Sequence, residues 1–288
     1  MIDEGTQNID AFHLAGIVPV AGQPLDFNLP WHDCLMPIPH NYLAVEHAIQ
    51  ECAMAGCETI WIVCHNDMQP LIRHRVGEWV LDPGAPTTGL FASDYERRIP
   101  VFYVPIHPKD RHKRDCLGWS VLYGALTAYH MSKALSKWVI PDKFYAAFPY
   151  GVYPLDIVKA NRSKFSTGKT HCLTYNGKSI KTGHHLRFTF GAEDFKECRR
   201  IIRKESTYAW NEEGKKIPLK ERYSARHFSL DKVFKGAIID KEIEIDWHYE
   251  VDSWENYTTY LSSEESKEIV RPKRLKYNEW NPIGQDNE

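Results

Sequence analysis

Residues 41–64 read NYLAVEHAIQECAMAGCETIWIVC. Tyr42, Val45, Ile49 and Ala53 recur at three- and four-residue steps, which places them on one face of a helix. Asn41 can cap the start of that helix, and Gly56 can end it. The run ETIWIVC (58–64) is apolar and rich in β-branched residues, the pattern of a strand buried on both faces. Upstream, LAGIVPV (14–20) has the same character. A strand, a helix and a second strand in this order imply two parallel strands joined by a crossover.

The alternation continues outward. MQPLIRHRVGEW (68–79) suits a short helix, IPVFYVP (99–105) a third strand, and KFYAAF (143–148) a fourth. Between the last two, LGWSVLYGALTAYHMSKAL (117–135) keeps Leu117, Val121, Leu122, Ala125, Ala128, Tyr129 and Ser132 on one helical face. Strands alternating with helices predict an α/β fold, a three-layer α/β/α arrangement around a mostly parallel sheet. The stretch 81–98, with DPGAPTTG, reads as a loop. After residue 160 the pattern weakens. Residues 161–185 are basic and glycine-dotted and read as a long loop or hairpin insertion. LRFTF (186–190) suits a strand, AEDFKECRRII (192–202) a helix, IEIDWHYEV (243–251) a strand alternating at period two, and SWENYTTYL (253–261) a closing helix. The expectation is one domain over 1–265 and a charged tail over 266–288, in which Trp280 is the residue suited to dock. No internal repeat is visible.

Composition narrows the class. The chain has 288 residues, 43% hydrophobic and 12% aromatic, enough for a large α/β core. A net charge of −2 supplies no bulk attraction to nucleic acid or an anionic membrane. The seven cysteines (34, 52, 57, 64, 116, 172, 198) are odd in number and lack C-x-x-C spacing, as expected in a reducing compartment. MIDEGTQNID at the start is too polar for a signal peptide, and no apolar run reaches the roughly 18 residues of a membrane span. These features point to a soluble, cytoplasmic protein.

In an open parallel sheet, ligands sit beyond the carboxyl ends of the strands. Those ends deliver Ala21-Gly22-Gln23, then His65-Asn66-Asp67, then His107 with the run KDRHKRD (109–115), then PYGVY (149–153). Lys109, Arg111, Lys113 and Arg114 are cations suited to a pyrophosphate, with His107 and His112 alongside. The following helix can add amides at its N-terminus. As a plain solvated loop, the same run has Asp110 and Asp115 as local partners. His32-Asp33-Cys34 and His65-Asn66-Asp67 contain nucleophile and base types, but no third partner can be placed. FSTGKT (165–170) lacks the first glycine of a phosphate-binding P-loop, since position 163 is serine.

Taken in order, GIVPVAG, CLMPIPHNYLAVEHAIQECAMAGCETIWIVC, DCLGWSVLYGAL and YEVDSWENYTTYL resemble the sugar-nucleotide pyrophosphorylases, nucleotidyltransferases of glycosyltransferase-A-like fold. The resemblance covers roughly residues 14–160 and 243–262. It implies a nucleotide or nucleotide sugar and a sugar phosphate as ligands. Ala21, Gly22 and Gln23 match the phosphate-binding loop, Gly118 the turn near base and sugar, and Tyr150 and Gly151 the fourth strand end. Asp252 matches a Mg²⁺ ligand. Asp246 is a weaker second candidate, roughly 20 Å away if the strand is extended. The bland alternative for Asp252 is an N-cap with Glu255 completing a capping box.

Departures from the family are as informative. The loop arginine is absent, Pro24 removes a donor, the family lysine aligns with Asp33, and Gly151 stands near the position of a metal-binding aspartate. Lys113 and Arg114 are then the candidates to act on the transferred phosphate. The leading expectation is a divergent nucleotidyltransferase-like protein. The alternatives are a glycosyltransferase of the same fold, or an inactive binding or assembly subunit.

Overall fold

The computed structural model describes residues 12–22, 27, 32–84, 97–111, 114–136, 139–205, 213, 215 and 228–272. Strand β1 (Leu14–Pro19) is buried along its whole length. It is followed by a short hairpin of β2 (Pro37–Ile38) and β3 (Tyr42–Leu43), then helix α1 (Ala44–Ala55) and strand β4 (Thr59–Cys64). Helix α2 (Gln69–Val76) and strand β5 (Trp79–Leu81) precede β6 (Arg98–Pro105). A single turn, α3 (Pro108–Arg111), leads to the long α4 (Leu117–Leu135) and to β7 (Lys143–Ala146). The remainder comprises β8 (Gly151–Val152), α5 (Asp156–Ala160), α6 (Arg162–Phe165), β9 (His171–Thr174), β10 (Phe188–Phe190), α7 (Ala192–Glu205), α8 (Leu230–Phe234), β11 (Lys241–Glu244), β12 (Tyr249–Glu250) and α9 (Trp254–Leu261).

Eight strands form one sheet in the order β11-β9-β10-β7-β1-β4-β6-β5. The central four, β7-β1-β4-β6, are all parallel, with Ala15 opposite Thr59 on one side and Phe144 on the other. Antiparallel strands flank them: β5 on β6 and β10 on β7. Side chains of β1 alternate between two cores. Leu14 and Val18 pack with α1, whereas Ala15 and Ile17 pack with α4 and α8. Helices therefore cover both faces, and the three-layer, mostly parallel α/β expectation holds.

Several boundaries differ from the sequence reading. Asn41 is no cap: it sits at φ 56° in the β2–β3 turn. Helix α1 begins three residues later, where the Glu46 carboxylate reaches back to accept from the Leu43 amide at 3.0 Å. Gly56 does end it, at φ 89°. The stretch 161–185 is no insertion, because β9 is a strand of the main sheet and pairs in parallel with β11. The run 243–251 is not one strand. It breaks at Asp246, sending β11 to the main sheet and β12 to a separate ribbon with β8. Residues 266–272 are packed on the body, with Ile269 7% exposed and Arg271 bonded to Glu46 at 3.0 Å. Trp280 lies outside the described residues.

One buried polar cluster ties α1 to the sheet. Glu51 pairs with Arg187 at 3.0 Å, and both are essentially sealed from solvent. Tyr145 donates to Glu51 at 2.8 Å, Tyr153 donates to its other oxygen, and Arg187 lies 4.6 Å over the Tyr153 ring. Burial pushes the Glu51 carboxyl up, and the Arg187 charge and these hydrogen bonds oppose it.

Candidate active site at the carboxyl edge of the sheet

Because β7, β1, β4 and β6 run parallel, their carboxyl ends share one edge, about 14 Å from the first strand to the fourth. The end of β1 is fixed first. Ser120 on α4 donates to the Ala21 carbonyl at 2.7 Å, drawing the chain onto the helix N-terminus. Gly22 then takes φ 150°, a backbone region that L side chains rarely adopt. A Cβ there would lie 3.3 Å from the Leu117 amide nitrogen. The backbone thus lies against the first turn of α4, where the helix dipole favours an anion and the Cys116 thiol already accepts from the Trp119 amide at 3.4 Å. Gly118, in the same turn, faces the other way: a Cβ on it would meet Val233 of α8 at 2.7 Å.

Gln23 lies outside the described residues. Phe27, further along the same loop, is 2% exposed and meets the Trp254 ring of α9 edge-on at 5.4 Å. Trp254 also donates its indole N–H to the Phe27 carbonyl at 3.0 Å. An aromatic anchor therefore ties the loop to the helix that follows Asp252.

At the end of β4, His65 Nε2 lies 2.7 Å from Asp115 Oδ2, with Asp115 only 4% exposed. Asp115 is thus an imidazole partner, and among the described residues the loop cation Arg114 pairs with Asp110 instead. His32 stands close by. Burial holds its imidazole down to about 4, with the His65 charge adding to the effect, so it is neutral at pH 7. The cationic run is spread out. Lys109 and Arg111 lie on α3, Lys109 exposed and Arg111 half-buried. Arg114 pairs with Asp110 at 3.5 Å and lies 5.1 Å over the Trp119 ring. Lys113 and His112 lie outside the described residues.

The end of β7 forms the second half of the edge. Tyr150 is 2% exposed, and its ring meets that of His185 edge-on at 5.4 Å. Burial, with Cys34 and Asp33 nearby, pushes its phenol well up. Residues 32–34 therefore link the His65–Asp115 pair to the Tyr150 side. The Val251 amide donates to the Tyr150 carbonyl at 2.9 Å, and β8 pairs with β12, so Glu250 and Asp252 are delivered beside Gly151. A Cβ on Gly151 would overlap the His185 carbonyl oxygen and lie 3.1 Å from His248 Nε2. Only glycine permits that approach.

Asp252 is not the cap of α9. Ser253 accepts from the Asn256 amide at 3.3 Å, while Asp252 accepts only from the Asn256 side chain at 2.7 Å. One oxygen or nitrogen from each of His185, Glu250 and Asp252 falls within 4.8 Å of the others. Burial alone would raise the Glu250 carboxyl, but the His185 backbone amide, which donates to it at 2.8 Å, and charge from His185 and His184 hold it down to about 2. Asp246 has no part in this cluster. Sequence reasoning singled out Asp252 and not His185 or Glu250, which the fold brings beside it. The available signal was two carboxylates two residues apart on an extended segment, which point to one side.

No protein-family model and no curated protein sequence matches the chain. Solved structures do. A Bacillus anthracis protein described as a glucose-1-phosphate thymidylyltransferase, in complex with a sucrose, is similar over 90% of this chain and 98% of its own, with a TM-score of 0.56 and 9% identity. An apo UDP-glucose pyrophosphorylase gives a TM-score of 0.50 at 14% identity, covering 90% of this chain and 100% of the other. A UDP-glucose pyrophosphorylase complexed with UDP-glucose gives 0.50 at 13%, covering 86% and 96%. The fold is thus that of sugar-nucleotide pyrophosphorylases and related nucleotidyltransferases, in a chain that shares only 9–14% of its residues with the three structures named.

Proposed function

We propose that this chain binds a nucleoside triphosphate or nucleotide sugar at the carboxyl edge of its sheet and transfers a nucleotidyl group to a sugar phosphate. The observation that carries the reading is the approach of Gly22 to the first turn of α4. It sets a side-chain-free stretch of backbone against a helix N-terminus at the fold's ligand edge. Lys109, Arg111, Lys113 and Arg114 are the cations available to the phosphates. Asp252, with Glu250 and His185, would hold a divalent ion, which the resemblance implies is Mg²⁺. When bound, such an ion neutralises charge on the phosphates. The free, buried state of all seven cysteines supports a cytoplasmic location.

A second reading is favoured by the His65–Asp115 pair. A phosphate acceptor needs no base, whereas a hydroxyl acceptor does. A carboxylate-oriented imidazole at this edge therefore suits a glycosyltransferase as well. Calorimetry with nucleoside triphosphates and UDP-glucose, divalent ion present, is expected to show salt-sensitive binding. Absence of heat with every one of them would end the nucleotide reading. Product analysis then separates the two chemistries, since pyrophosphate release marks nucleotidyl transfer and free nucleoside diphosphate marks glycosyl transfer.

A further inference from the structure

His185 is 8% exposed, yet its Nδ1 has no hydrogen-bond partner among the described residues. That nitrogen lies 3.3 Å from Glu250 Oε1 but outside hydrogen-bond alignment. His184 Nδ1 repeats the arrangement 3.2 Å from the same oxygen, also without an aligned partner. Leaving such an atom buried and unpaired costs about 1–3 kcal/mol, so the one on the more deeply buried His185 needs a cause. Two groups that hydrogen-bond aim at each other, whereas two ligands of one ion aim at a shared third point. Nitrogen and oxygen ligands each about 2.1 Å from an ion, at tetrahedral or octahedral angles, stand about 3.0–3.4 Å apart. The separation seen here falls in that range. Asp252 supplies a further oxygen within 4.8 Å, and its single bond to Asn256 leaves its other oxygen available.

The ligand set also selects the ion. Mg²⁺ takes oxygen ligands at 2.0–2.1 Å and is seldom held by imidazole, whereas imidazole suits first-row transition ions. Gly151 cannot be exchanged for a carboxylate-bearing residue while His185 stays in place, because its Cβ position is filled by the His185 carbonyl. The His185 backbone therefore closes the position from which a carboxylate on residue 151 would reach the cleft.

We propose that His185, Glu250 and Asp252 form a binding site for a first-row transition-metal dication, which binds there in preference to Mg²⁺. The assignment deepens the proposed function by naming the ion at its cleft, and it rests on that reading for its role but not for the binding itself. The test uses the full chain, stripped with chelator and titrated by calorimetry with MnCl₂, ZnCl₂ and MgCl₂. Expected are one equivalent of Mn²⁺ or Zn²⁺ per chain, bound at least tenfold more tightly than Mg²⁺. Pulsed electron paramagnetic resonance of the Mn²⁺ complex is expected to show coupling to a directly bound nitrogen. That coupling should vanish in His185→Ala, and Glu250→Gln should weaken Mn²⁺ binding by tenfold or more. The nitrogen signal is read on the unmodified chain, so the test holds even if a variant fails to fold. Equal affinity for Mg²⁺ and Mn²⁺, no binding at millimolar ion, or Mn²⁺ bound without nitrogen coupling would overturn the assignment. Ion binding without any nucleotide affinity would leave this site standing and remove the nucleotidyltransferase reading. Nucleotide affinity with no ion bound would do the reverse.

Discussion

Gly22 concentrates several demands on a single position. Its φ of 150° excludes side chains, and a Cβ would press on the Leu117 nitrogen at 3.3 Å. Gly22→Ala is therefore expected to lower stability by about 1–3 kcal/mol, read by urea denaturation. It should also weaken nucleotide binding by tenfold or more, because the intruding methyl group stands where a phosphate would approach. Unchanged nucleotide affinity in the folded variant would place the ligand elsewhere. Gly22 was legible because glycine directly after a buried strand has few structural reasons to be there. His185 was not. It precedes Glu250 by 65 residues, and the two meet only in the folded chain, where the His185 amide donates to the Glu250 carboxylate at 2.8 Å. The partner of Asp115 was hidden for the same reason, because His65 is 50 residues away.

At the scale of elements, α4 was legible to the residue, since a continuous apolar face and a loop ending at Cys116 bound it. The 243–251 segment was not, because its alternation runs straight through the break at Asp246 and period-two patterning carries no information about which sheet a strand joins. β9 was hidden for a different reason: HCLT is a four-residue strand flanked by lysines and glycines. What holds α1 to this part of the sheet is the Glu51–Arg187 pair. Removing one partner strands a buried charge, so Arg187→Met is expected to cost about 3–5 kcal/mol. The double variant Glu51→Leu with Arg187→Met should recover most of that loss in urea melts, because no unpaired charge remains. A double variant as unstable as the single one would show that the pair contributes through specific geometry and not merely through mutual neutralisation.

For the whole molecule, buried imidazoles couple stability to pH; burial holds His248 down to about 4, and two others with it. Burial holds both His32 and His47 down to about 4. The groups acting on His32 are His65, Asp67 and Asp115; those on His47 are the Tyr153 backbone and Arg187. Once unfolded, each titrates near 6.5 and binds a proton that the native state refuses until pH 4. Their contribution is thus complete above pH 6.5 and declines as the pH falls toward 4, at up to about 3 kcal/mol per pH unit for the two together. Urea midpoints measured at pH 7, 6 and 5 are expected to fall accordingly. His47→Gln should reduce the slope by about one proton, and an unaltered slope would show that His47 does not titrate between the two states.

The strand order has a consequence in time. His13, at the head of β1, bonds to Asp142, 129 residues further on, and β1 pairs with β7 along its length. At 5–20 residues per second, a ribosome needs roughly 6–26 s to cover that interval. Once β4 is made, β1 can acquire that neighbour, but its opposite margin stays without its native partner until β7 follows. A nascent chain of this topology is accordingly a substrate for chaperones before it is anything else, and its yield in a cell should respond to translation speed across residues 65–143 more than to the stability of the finished protein.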